Sequence, residues 1–182
     1  MRALFYRGFM KTIGEIIGIL GILVNFLIYQ QKDRKKVLKV KLASDLTWAC
    51  HYGLLTAFSA LAVTLVGACR ETAFILTDGK NKNRKPLFVI FAIVAVITSA
   101  LTMKDIFGLL PAFASLIAVF SYWQQNPTLT KILGIPISIS MLVYDIMRFS
   151  IMGLVNEVLT LVSISVWFIS LALSKSKNAK NK

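Results

Sequence analysis

The sequence has one histidine, two cysteines and eight acidic residues among its 182 positions. A single histidine with no Cys/His cluster excludes a zinc site of the usual composition. Cys50 and Cys69 both fall inside apolar segments, which argues against a disulfide framework. There is no Walker loop, no Gly-x-Ser-x-Gly elbow, no zinc-type His pair and no cofactor motif. Neither an enzyme nor a cofactor-dependent protein is therefore expected, and no residue is assigned a catalytic or metal-binding role.

Charge of either sign is also scarce, at 16% of residues, and from Leu87 to Leu101 there is none. A run of that kind needs hydrocarbon or a very large protein core around it, and a chain of this length cannot build such a core. What is abundant is apolar surface, 57% of residues, together with a basic excess that gives a net charge of +13. On a soluble protein that excess would point to nucleic acid. Here no basic stripe is interleaved with aromatics, and the positive residues fill the gaps between apolar runs. That is the pattern of loops held at an anionic cytoplasmic membrane face. The expected partner is the lipid bilayer, with a small-molecule substrate possible and no nucleic acid.

Arg2, Arg7 and Lys11 precede the first apolar stretch, as they would in a signal peptide. That stretch contains Glu15 and Asn25 and ends at Tyr29-Gln30-Gln31 without a small-residue cleavage site. It reads as a retained first helix.

Hydropathy predicts an all-α polytopic membrane protein with about seven transmembrane helices. Their approximate bounds are Thr12 to Tyr29, Leu42 to Leu55, Phe58 to Thr77, Pro86 to Met103, Phe107 to Trp123, Lys131 to Phe149 and Ile151 to Ser174. The second and third helices, and the sixth and seventh, are joined almost directly, so a five-span reading competes. A continuous helix from Leu42 to Thr77 would be roughly twice the bilayer thickness at ~1.5 Å per residue, which favours seven. Seven spans put fifteen basic residues on one side and five on the other, with Arg70 inside helix three. The positive-inside rule then places the N-terminus outside and the C-terminus in the cytoplasm.

Tyr29-Gln30-Gln31 closes the first helix and Tyr122-Trp123-Gln124-Gln125 the fifth; each is followed by a polar loop and a helix holding a tyrosine, Tyr52 or Tyr144. This predicts a parallel repeat of two three-helix bundles joined by a linker helix. The divisions are 1–77, a basic loop and linker helix at 78–106, the second unit at 107–174, and a basic tail at 175–182.

The three-plus-one-plus-three order with a double-Gln end to helix one resembles the PQ-loop and SWEET transporter superfamily, with Tyr29-Gln30-Gln31 and Trp123-Gln124-Gln125 standing where those proteins carry Pro-Gln. The chain more closely resembles the YgjV-type family of bacterial inner-membrane proteins. The carriers are Lys32-Asp33-Arg34-Lys35-Lys36, Cys50-His51-Tyr52-Gly53-Leu54-Leu55, Cys69-Arg70-Glu71-Thr72-Ala73-Phe74, Tyr144-Asp145 and Asn156-Glu157, in that order along nearly the whole chain. This resemblance implies a multi-pass inner-membrane protein, and the superfamily likeness implies small-molecule transport. Asn156 lies twelve residues after Tyr144, where SWEET-like proteins place a substrate-contacting asparagine; the matching position after Tyr52 is Thr64.

Each charge in hydrocarbon costs at least ~2.5–3.5 kcal/mol near the centre, so intramembrane polar groups mark structure or function. Arg70 can snorkel, pair with Asp45 or gate a ligand, whereas Glu71 points about 100° away around the helix. His51 and Glu157 fall at similar depths. A contact between them would suit a proton-coupled step, and the competing reading is a packed histidine. Asp145 and Arg148 are spaced to pair on helix six. Trp48 and Tyr52 share one face of helix two, as an aromatic wall or as packing. Asn25 would line the same cavity or bond a neighbouring helix, and Gly14 and Gly18 offer a close-packing face.

Two functions follow. The first is a small-molecule carrier working by alternating access, with Asn25, Trp48, His51, Tyr52, Thr64, Tyr144, Asn156 and Glu157 near its cavity. Asp45, Arg70, Asp145 and Arg148 would be gate or ion-pair residues. The alternative is a non-transporting structural or accessory membrane protein that binds a partner through its helices. One continuous polar cavity would favour the first, and locally satisfied polar groups without a cavity the second.

Overall fold

The computed structural model describes residues 2–56, 58–78, 84–103, 105–147 and 149–180. These form seven α-helices: α1 Arg2–Ile28, α2 Arg34–Leu54, α3 Phe58–Leu76, α4 Lys85–Thr102, α5 Leu109–Trp123, α6 Pro127–Met147 and α7 Ile151–Lys180, with a single 3-10 turn at Ile106–Gly108 before α5. The all-helical expectation holds. Among the described residues, three segments are long and apolar enough to cross a membrane, Ile106–Trp123, Pro127–Met147 and Ile151–Ser174; Thr12–Ile28 and Lys85–Leu101 are shorter apolar stretches.

The helices begin earlier than hydropathy suggests where polar residues cap them. Asp33 adopts an extended conformation and its carboxylate accepts from the Lys35 and Lys36 backbone amides, so the basic segment after α1 is the first part of α2 rather than a loop. Asn126 accepts from the Thr128 amide at 2.9 Å, and Pro127 takes the first helical position of α6. The two tight links are built alike. Thr56 (φ 56°) follows α2 and Phe149 (φ 54°) follows α6, each in the left-handed conformation that stops a helix abruptly.

α2 packs on both α1 and α3, and α6 on both α5 and α7; α4 lies mainly against α5, α1 meets α7, and α3 touches α4 and α5. The chain thus closes a ring of helices. Its apolar core lies at one end of that ring, where Ile28 and Tyr29 of the α1 end meet Val37 and Leu38 of α2, Phe74 of α3, Tyr122 of α5 and Ile164 of α7. Elsewhere the burial pattern is inverted. Ile16, Ile19, Leu20, Leu23 and Leu27 of α1 and Val89, Ile90, Ile93, Val96 and Ile97 of α4 face outward, while Ser44, Asp45, His51, Arg70, Glu71, Ser138, Asp145 and Thr160 are buried. Apolar stripes pointing away from a polar interior are stable only with hydrocarbon outside.

Candidate functional site

The ring surrounds a cavity of about 460 Å³, to which all seven helices contribute side chains. Of the residues singled out from sequence, Asn25, Asp45, Trp48, His51, Tyr52, Thr64, Arg70, Asp145, Asn156 and Glu157 line it. Tyr144 does not; it stands off the stripe of Ser138, Met141 and Asp145 that α6 turns inward. Arg148, and with it the Asp145–Arg148 pair, lies outside the described residues.

At the end nearest the apolar core, four charges form two short-range pairs. Lys41 binds Asp45 one helical turn on. The Arg70 guanidinium curls back onto Glu71, with Nε and Nη2 donating to Oε1 at 3.0 and 2.8 Å. Of the alternatives open to Arg70, pairing with Asp45 gives way to pairing with Glu71, because the long arginine side chain spans the angular offset between adjacent helix positions. Tyr122 presents its ring to both cations, 5.4 Å from the Arg70 guanidinium and 5.9 Å from Lys41 Nζ. Asp45 Oδ2 and Glu71 Oε2 have no hydrogen-bond partner. Both approach Gly67, where a Cβ would lie 2.8 Å from the first and 3.8 Å from the second.

Below this layer Arg34 seals the end of the ring. It pairs with Asp78 beyond α3, and its Nε and Nη2 donate to the Gln124 and Tyr122 carbonyls at 2.7 and 2.8 Å. One guanidinium thereby joins the start of α2 to the ends of α3 and α5, and satisfies carbonyls that a helix C-terminus leaves open.

In the middle, Asn25 Nδ2 donates to Asn156 Oδ1 at 3.0 Å and to Thr160 Oγ1 at 2.9 Å. Asn156 Nδ2 in turn donates to Glu157 Oε1 at 3.0 Å. A chain of amides therefore runs from α1 across α7 and ends on a carboxylate.

Towards the α2 C-terminus the wall is aromatic. Trp48 and Tyr52 stack with centroids 5.6 Å apart, and His51 meets each edge-on. Of the two readings of His51, the structure has the packed, hydrogen-bonded histidine and not the contact with Glu157. His51 Nδ1 lies 2.7 Å from the Gly14 carbonyl, and since a carbonyl only accepts, Nδ1 carries the proton. Gly18 makes room for this ring: a Cβ there would come within 2.8 Å of Nδ1. Opposite, the Asp145 carboxyl rests against Gly153, where a Cβ would fall 2.4 Å from Oδ1.

Sequence reading missed Lys41, Ser44, Tyr122, Ser138 and Thr160 as cavity residues. Lys41 carried a usable signal, its four-residue spacing from Asp45, which is hidden when the segment is read as a loop. The serines and threonines give no signal of their own, being ordinary residues of membrane helices.

An inverted burial pattern around a polar interior, on membrane-length helices, defines an integral membrane protein. More narrowly, the chain belongs to the bacterial inner membrane protein family Imp-YgjV, whose family model matches residues 12–175. No curated protein and no solved structure matches it.

Proposed function

We propose that this inner-membrane protein is a small-molecule carrier that crosses the bilayer seven times and works by alternating access. The cavity to which every helix contributes carries this reading. A structural or accessory protein has no need of a cavity of this size lined by Asn25, Asp45, Arg70, Asp145, Asn156 and Glu157, since buried polar groups in lipid are costly unless they serve something. The volume is of the order that holds a metabolite-sized ligand.

In this reading α2 and α3 cross the membrane because Lys41, Asp45, Arg70 and Glu71 face the interior rather than lipid, while the exposed Lys35, Lys36 and Lys39 stand at the cytoplasmic start of α2. The 21 residues of α2 span roughly 30 Å in all, so its basic first turns can reach the cytoplasmic interface while the rest of the helix crosses. The basic start of α2 and the basic tail lie in the cytoplasm and the N-terminus lies outside. The shared order of the two halves supports a parallel repeat: α2 and α6 are each the central helix of three, and Thr56 and Phe149 close equivalent links. The apolar core and the Arg34 latch then form the closed cytoplasmic end, and transport requires that this end loosen while the other closes.

The test is a thermal-shift screen of purified protein against sugars, amino acids, nucleosides and amines. A ligand that binds only the folded state raises apparent stability by mass action. One class of ligand should produce a dose-dependent shift; if none does, the carrier reading fails.

A further inference from the structure

From the distribution of charge along the cavity we infer that its cargo is a small organic cation, held between the Trp48–Tyr52 stack and the carboxylates of Asp145 and Glu157. This inference rests on the carrier reading and names the cargo's chemistry.

The two ends of the cavity differ in their charge balance. At the Arg34 end each carboxylate is matched by a neighbouring cation, Asp45 by Lys41 and Glu71 by Arg70. Beyond them stand Glu157, in the middle of the cavity, and Asp145, towards its other end, and among the described residues no lysine or arginine forms an ion pair with either. Their visible support is neutral. Glu157 accepts from the Asn156 amide at 3.0 Å, and the Asp145 carboxyl occupies the space left by the missing side chain of Gly153. Two carboxylates facing a cavity inside a membrane protein create a negative potential that a positive ligand relieves.

The aromatic wall at this same end supplies the second half of the recognition. Trp48 and Tyr52 stack at an interplanar angle of 28°, and both line the cavity, so aromatic surface is available at this end. A cation is attracted to such a face, and more strongly where water is excluded. A carboxylate or phosphate ligand would meet two like charges and the negative faces of two rings, so the arrangement selects against anions as well as for cations. A small inorganic cation would use the carboxylates but not the aromatic surface. Both features are satisfied together by an ammonium or guanidinium carried on a compact or flat apolar body.

The experiment measures thermal shifts of the full-length protein in detergent. The probes are tetramethylammonium, choline, benzylammonium and phenylguanidinium, with benzyl alcohol and the carbon-for-nitrogen analogue of choline as neutral isosteres. At least one of these cations should raise the apparent Tm in a dose-dependent way while its neutral isostere does not. Glu157→Gln and Asp145→Asn preserve shape and should each weaken that binding about tenfold or more. If either variant fails to fold, the comparison of cation with isostere on the unaltered protein decides the matter. Equal shifts from cation and isostere would overturn the inference. Shifts from sugars, nucleosides or anions with none from the cations would overturn it too and leave the carrier reading standing. No shift from any ligand would remove both.

Discussion

The Asn25 side chain of α1 donates to Asn156 of α7 at 3.0 Å, across 131 positions of sequence. This contact fastens the first helix to the last and closes the ring around the cavity. Its second branch, from Asn25 to Thr160 at 2.9 Å, fixes the direction of the amide. Replacing Asn25 with leucine should therefore lower stability by about 0.6–1.7 kcal/mol, the range for interhelical hydrogen bonds in membranes. Thermal unfolding in detergent measures this, and an unchanged Tm would mean that the clasp contributes nothing.

Arg34 should tolerate no substitution, including lysine. It bonds Asp78 and the carbonyls of Gln124 and Tyr122 with different nitrogens of one planar group. A single ammonium lacks this fork. Arg34→Ala is expected to cost about 2–3 kcal/mol, because buried acceptors are left without donors. Arg34→Lys should recover less than half of that loss in the same unfolding assay.

Gly134 of α6 sits where a Cβ would lie 2.6 Å from the Tyr29 ring and 3.0 Å from Ile164 Cδ1. Both neighbours belong to the apolar core, which cannot give way without disturbing Tyr122 and Phe74. Gly134→Ala should destabilise the protein by about 1–3 kcal/mol through overpacking. Gly53, with open space around its Cβ position, provides the control: alanine there should be neutral or slightly stabilising.

Much of the helical architecture is legible in the sequence because hydrocarbon imposes a simple demand, namely long apolar stretches separated by polar breaks. The breaks between α2 and α3 and between α6 and α7 are visible from segment length alone. The start of α2 is not, because Asp33 caps a basic segment that hydropathy reads as loop. The cavity is partly legible. Asn25, His51, Asn156 and Glu157 stand out against apolar surroundings, but their partners are set by packing. His51 turns to the Gly14 carbonyl because Gly18 leaves room for its ring, and a pairing rule for titratable groups cannot anticipate that. Arg70 reaches Glu71 while Lys41 holds Asp45, and Lys41 falls before the start of the second helix that hydropathy predicts.

The proposed topology can be tested with single cysteines in a background where Cys50 and Cys69, both exposed, are replaced by serine. A cysteine at Lys35 should react with a membrane-impermeant maleimide only when the cytoplasmic side is opened. A cysteine at Asp105 should react in intact spheroplasts. The opposite pattern would invert the orientation, and labelling of both from one side would contradict the odd number of crossings between them.

The most direct test of the account asks whether the cavity opens to both sides of the membrane. Thr64 of α3 and Ser115 of α5 both line it near the middle of their helices. In the cysteine-free background, Thr64→Cys and Ser115→Cys should each be labelled by an impermeant thiol reagent applied from either side, with a rate that changes when a cavity ligand is present. Labelling from one side only, or from neither, would contradict alternating access and leave a closed membrane protein whose polar interior serves structure alone.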